Sequence, residues 1–287
     1  MSDVKNSSLA TGLVSYWELD EASGTRADAH GSNDLTDNNT VGSATGIQGD
    51  GADIERDNNE YLSISDASQT GLDITGDLSV SGWVKLESYA PRFNAWQLAG
   101  KYRSSTNDRS YEFAVARDVS GNTTPGAADC VIRFYGTPNG TTTNSFSWDS
   151  TARLDTLGVT LGSWFHYVFI IDCTNNDMKC YLNGVEVAGT MFRSPSSIYN
   201  GSAPFEIGRY NSSGASSDGV IDEVGVWSRA LSAADVTDLY NSGAGIPYEA
   251  AAGSSIKSID GVLKANIKSF NGVLDASVKS VNGISNV

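Results

Sequence analysis

Trp164-Phe-His-Tyr-Val-Phe-Ile-Ile-Asp172, the turn after Cys173, and Met178-Lys-Cys-Tyr-Leu-Asn-Gly-Val-Glu-Val187 form the stretch that decides the fold. Two runs rich in β-branched and aromatic residues meet across a polar turn, which predicts an antiparallel hairpin. Asn183-Gly184 adds a second tight-turn signal. Working outward, Leu13-Val-Ser-Tyr-Trp, Leu78-Ser-Val-Ser-Gly-Trp-Val-Lys-Leu, Tyr111-Glu-Phe-Ala-Val-Ala, Cys130-Val-Ile-Arg-Phe-Tyr and Phe205-Glu-Ile-Gly-Arg-Tyr each alternate well enough to bury one face. Sustained helical periodicity is nearly absent before residue 230, so the chain reads as all-β. One helix stands out, opened by Ser232 with Asp235 in a capping box, striped by Val236, Leu239 and Tyr240, and stopped by Gly243.

The chain has 287 residues, enough for one large sandwich with a sizeable core. No stretch approaches the roughly 20 consecutive apolar residues of a membrane helix, so membrane insertion is not expected. Met1-Ser-Asp-Val-Lys-Asn-Ser-Ser lacks an apolar h-region, so no secretory signal of the usual kind is expected. Nineteen basic against 34 acidic residues give a net charge of -15, which repels phosphate backbones and makes nucleic acid an unfavourable partner. Such a surface suits solubility, calcium capture or glycan contact. Three cysteines without metal-type spacing indicate neither a disulfide framework nor a zinc site. Cys173 and Cys180 flank a turn, where two free thiols are favoured over a bridge.

Composition changes after Pro247 and the small-residue run from Ala250. The last segment repeats with a period of 11 residues: Ile256-Lys-Ser-Ile-Asp-Gly-Val, Ile267-Lys-Ser-Phe-Asn-Gly-Val, Val278-Lys-Ser-Val-Asn-Gly-Ile. Each Asp-Gly or Asn-Gly signals a type I′ turn, and a meander with strands near 262–270 and 273–281 is the simplest expectation. Its apolar positions, Ile256, Ile259, Leu263, Ile267, Phe270, Leu274, Val278 and Val281, are expected to serve assembly, because so short a segment cannot stand alone. Their partner is the main domain, another copy in a homo-oligomer, or a larger assembly.

Seven motifs in order resemble the concanavalin A-like LamG jelly-roll family, in its laminin G 3 branch. They are Leu13-Val-Ser-Tyr-Trp-Glu-Leu-Asp-Glu-Ala-Ser-Gly, Asp28-Ala-His-Gly-Ser-Asn-Asp-Leu, Ser79-Val-Ser-Gly-Trp-Val-Lys, Trp164-Phe-His-Tyr-Val, Tyr181-Leu-Asn-Gly-Val-Glu-Val, Phe205-Glu-Ile-Gly-Arg and Gly219-Val-Ile-Asp-Glu-Val-Gly-Val-Trp-Ser-Arg-Ala-Leu-Ser. The resemblance implies a sandwich of two curved antiparallel sheets. It gives an amino-terminal arm over 1–10, the jelly roll over 11–248, and a linker with the repeat segment over 249–287. The Lys-Ser-Asn-Gly repeats resemble those at the ends of phage virion and tail-associated proteins.

On residue pattern, Asp222 in Val220-Ile-Asp-Glu-Val224-Gly-Val226 shares a strand face with three valines, and a carboxylate there needs a cation or several donors. The resemblance implies a structural calcium at Asp222, with Asp28 and Asn33 supplying further oxygens; the alternative is an Asp bonded to loop amides. Trp17, Trp83, Trp164 and Trp227 look like core residues of the family. Trp96 and Trp148, with Tyr102, Tyr199 and Tyr210, are the candidates for stacking against sugar rings.

Catalysis finds little support, since His30 and His166 lack a recognisable nucleophile partner. The Glu-x-Asp-x-x-Glu pattern of glycosidases on this broad fold is absent at Asp222-Glu223. The expectation is therefore a non-enzymatic phage virion protein, a capsid decoration or tail-associated module held to other virion proteins through its repeats. Assembled in the host cytoplasm, it would be displayed on the virion surface. The alternative is an adhesin for host-surface or environmental glycans, on an extracellular surface.

Overall fold

A computed structural model describes residues 3–89, 95–117, 126–210 and 215–249, together with six two-residue strands between 258 and 285. Two antiparallel sheets of eight strands each pack face to face. The first runs, in spatial order, Val185–Val187, Asp177–Leu182, Trp164–Asp172, Leu78–Leu86, Gly219–Trp227, Asp50–Ile54 and Gly42–Thr45, with Leu13–Trp17 also pairing to Gly219–Trp227. The second runs Gly189–Phe192, Phe146–Ser150, Cys130–Gly140, Asp108–Arg117, Ala95–Arg103, Phe205–Ile207, Tyr61–Ile64 and Thr36–Asn38. The expected hairpin forms, with Ile171 opposite Met178 and Val168 opposite Tyr181. Phe169 faces Cys180, so Cys173 does not oppose Cys180, and both thiols are free.

Alternation sorts side chains between two cores. Phe165, Tyr167, Phe169 and Ile171 point between the sheets, where Phe169 stacks on Phe113 at 5.0 Å and Trp17 on Phe205 at 5.2 Å. Val168 and Ile170 point out of the first sheet into a second apolar layer with Val4, Leu9, Trp227, Leu231, Val236, Leu239 and Tyr248. The helix Ala233–Tyr240 covers that layer, capped by Ser232 with Asp235 in the expected box; Asn241, at φ 46°, ends it ahead of Gly243. Residues 3–10 of the expected arm pack onto this layer: Val4 and Leu9 are buried, and Val4 and Lys5 donate N–H groups to the carbonyls of Pro247 and Tyr248. Trp17, Trp83 and Trp227 are core residues as expected, whereas Trp164 is half-buried beneath Lys85.

In the repeat segment, described residues pair as short antiparallel strands: Ile259 with Val262, Phe270 with Val273, and Val281 with Ile284. Residues 264–268 and 275–279 of the expected meander lie outside the described residues, as do Ile256, Ile267 and Val278.

Candidate functional site

The outer face of the second sheet carries the candidate site. Phe113, Val115, Ile132 and Phe134 face the inter-sheet core, so their neighbours Glu112, Ala114, Arg133 and Tyr135 project from the opposite surface. Strand register aligns Ser147, Tyr135, Glu112, Gly100, Glu206 and Ser63 in one row across six strands. The adjacent row holds Asp149, Arg133, Ala114 and Gln97. Gly100 has no room for a side chain, since a Cβ there would stand 2.8 Å from the Tyr111 carbonyl oxygen and 3.4 Å from Gln97 Nε2.

These groups are buried although they leave the core face. Glu112 is 5% exposed, Glu206 2% and Gln97 1%. Burial pushes the Glu112 carboxyl up to about 8, with Arg133 opposing the shift, which favours its neutral form at neutral pH. Burial also raises Glu206, and the Arg209 hydrogen bond pulls it back. The Tyr135 hydroxyl and the Gln97 side-chain carbonyl oxygen are both buried with no hydrogen-bond partner. Tyr102 meets the Tyr135 ring edge-on at 5.7 Å, with the Arg109 guanidinium 6.0 Å from its own ring centre.

Of the aromatic candidates, Tyr102 alone is placed in this surface among the described side chains. Trp148 is a correction: it lies in a strand, 4% exposed, stacked on Phe134 at 5.0 Å. Its buried ring floors an edge cleft of about 320 Å³ lined also by Met178, Lys179, Glu186 and Met191, and is no open platform. Tyr199 is half-buried, its N–H donating to the Thr137 carbonyl and its ring lying against Gly140 and Gly201. The side chains of Trp96 and Tyr210 lie outside those described; Trp96 sits opposite Val115 in register. Glu112, Gln97, Tyr135 and Glu206 escaped the sequence reading, although a glutamate between Tyr111 and Phe113, and another between Phe205 and Ile207, marked the polar side of each strand.

The three residues expected to hold calcium are each engaged with the protein's own loops. Asp28 accepts four backbone N–H bonds, from Tyr16, His30 and Gly31 on Oδ1 and from Asn33 on Oδ2, at 2.9–3.0 Å. Asn33 is equally engaged: its Oδ1 accepts from Thr70 N–H at 2.7 Å and its Nδ2 donates to Ser15 and Thr70. Asp222 is fully buried and accepts N–H bonds from Ile47 and Gln48 at 2.7 and 3.2 Å. Asp28, Asn33 and Asp222 Oδ2 thus hold loops by their amides, while Asp222 Oδ1 is buried without a hydrogen-bond partner. A bulge between Asp222 and Gly225, with Glu223 at φ 53°, breaks the expected alternation: Ile221, Val224 and Val226 join the inter-sheet core while Asp222 turns to the 46–48 loop. Among the described residues, converging carboxylates occur instead at Asp53, Glu55 and Glu87, whose oxygens lie within 4.8 Å of one another.

Neither histidine has a catalytic setting. His166 is buried beneath Trp83 and Tyr240, bonds Ser81 through Nε2 at 2.9 Å, and is held neutral, its value pushed down by burial to about 3. His30 Nδ1 contacts the Tyr248 hydroxyl at 3.1 Å.

Solved structures share this architecture. Domain 4 of AbnA, a GH43 extracellular arabinanase from Geobacillus stearothermophilus, in complex with arabinotriose, matches with a TM-score of 0.55 at 20% identity, over 79% of this chain and 97% of that one. The binding domain of Paraclostridial Mosquitocidal Protein 1 matches at 0.59 and 13%, over 82% of this chain and 53% of its own. The binding domain of botulinum neurotoxin DC in complex with SialylT matches at 0.59 and 10%, over 82% and 52%. The chain therefore spans about half the length of these toxin domains. No curated protein matches significantly. The profile of the concanavalin A-like lectin/glucanases superfamily named Laminin_G_3 matches residues 56–237, and with two antiparallel sheets, one short helix and the ordered motifs in place, the chain belongs to that family.

Proposed function

We propose that the chain is a non-enzymatic binding protein that takes a glycan on the outer face of its second sheet. The observation that carries this reading is the pair of buried, unpartnered polar groups, Tyr135 Oη and Gln97 Oε1, beside the neutral Glu112 acid. Buried polar groups without partners are unfavourable, and a ligand rich in hydroxyls relieves them while stacking on Tyr102. Relatives in fold that were solved with arabinotriose and with SialylT lend support.

The test is a glycan array read beside thermal melting. Tyr135→Phe removes only the hydroxyl and is expected to weaken binding about tenfold or more with little change in melting temperature. Binding by Tyr135→Phe equal to that of the parent chain would count against this face.

A second reading concerns display. Three antiparallel strand pairs, with an Asp-Gly or Asn-Gly between their strands in sequence, follow the sandwich at 11-residue spacing. We propose that residues 249–287 attach the domain to a phage particle, with other virion proteins or further copies of itself as partners. Truncation at residue 248 is expected to abolish incorporation into particles while leaving the sandwich folded. Incorporation of the truncated chain at the full level would overturn the attachment role.

A further inference from the structure

We infer that this face selects uncharged oligosaccharides over anionic ones, an inference that rests on the glycan-binding reading above. Each guanidinium described around it already bonds or pairs within the protein, the buried Nε–H groups of Arg103, Arg109 and Arg209 alone lacking a hydrogen-bond partner. Arg133 donates through Nε and Nη2 to Asp149 at 2.7 and 2.6 Å. Arg209 pairs with Glu206 while lying 3.5 Å over the Tyr61 ring. Arg109 donates to Asn107 Oδ1 and to the carbonyls of Gly140 and Ser104. Arg103 pairs with Asp108 and donates to the Ser202 carbonyl. Lys101, one residue beyond Gly100, alternates to the other side of the strand, where its ammonium is held by Asp66 and Asp73.

A sialate, uronate or sulfate that drew on Arg209 would have to open its pair and leave Glu206 uncompensated, which is strongly unfavourable for a buried acid. Glu206 is 2% exposed, so its pairing with Arg209 is the least replaceable by water. The chain's net charge of -15 opposes anionic ligands at longer range as well. What the face does offer is a hydroxyl that both donates and accepts at Tyr135, an acceptor at Gln97, and the Tyr102 ring. Those are the complements of sugar hydroxyls and of an apolar pyranose or furanose face, and they need no charge from the ligand.

The full chain is screened against neutral arabino-, xylo-, gluco- and manno-oligosaccharides beside sialylated, uronate and sulfated ones. The expected result is a preference of about tenfold or more for neutral ligands. Affinity is expected to stay within about twofold between about 0.05 and 0.5 M salt, since no ion pair forms across the interface. Preferential binding of anionic ligands, weakening with salt, would overturn this inference while leaving the glycan-binding reading intact. Absence of binding to every class would overturn both.

Discussion

Asp28→Ala is expected to lower the unfolding free energy by about 4 kcal/mol, because four backbone N–H groups lose one charged acceptor at once. The carboxylate is 8% exposed, and the amides of Tyr16 and Asn33 are buried with it, so water replaces the lost bonds only in part. Tyr16 belongs to the strand Leu13–Trp17, which pairs with Gly219–Trp227, so loosening the 28–34 loop propagates to the first sheet. Asp28→Asn keeps one acceptor oxygen and should lose about half as much. The measurement is urea unfolding of parent and variants, each with calcium and with a chelator. An equal loss in both conditions is expected from an amide-holding aspartate; a loss confined to the calcium condition would return Asp28 to the role of metal ligand.

Glu112→Gln is expected to stabilise the sandwich at alkaline pH by on the order of 3 kcal/mol and to leave it nearly unchanged at pH about 4. Burial raises the folded-state value of this acid to about 8, far above that of an unfolded glutamate. The unfolded chain therefore releases its proton first as pH rises. Stability contributed by the protonated acid is fully present below about pH 4 and is lost progressively up to about pH 8, above which the folded form ionises too. Glutamine has no proton to lose, so the gap between variant and parent opens across that window and then stays constant. Arg133 softens the effect without cancelling it. Melting temperatures recorded from pH 4 to 9 should diverge; two parallel curves would mean that Glu112 is solvated in the folded protein.

Much of the fold was legible because its signals are local. The hairpin through Asp172, the Ser232 capping box and the Asn183-Gly184 turn each rest on residues a few positions apart, and each appears where its pattern put it. The candidate site was harder, for reasons particular residues make plain. Alternation in Tyr111-Glu-Phe-Ala-Val identifies two strand faces, but that Tyr135, Glu112, Gly100 and Glu206 form one row depends on the register of four strands distant in sequence. Asp222 leaves the face of Val224 and Val226 because a bulge inserts a residue that the sequence does not announce, and period-two counting fails beyond it. Trp148 stands among serines and an aspartate, which favours an exposed ring, yet the strand Phe146–Ser150 carries it inward against Phe134. Asp28 showed the opposite pattern: the residue was conspicuous, and its work is done on backbone amides that have no side-chain signature.

The pairing of Val4 and Lys5 with Pro247 and Tyr248 sets an orientation for the molecule. Both ends of the sandwich meet over the outer face of the first sheet, in the layer that holds Trp227 and the helix. The row from Tyr135 to Glu206 lies on the outer face of the second sheet, with both sheets in between. A body tethered just beyond Tyr248 therefore turns its back to whatever holds it and presents that row outward. Copies fixed side by side on a curved support would all point the same way, so that even weak single contacts would add as avidity toward a repeating surface.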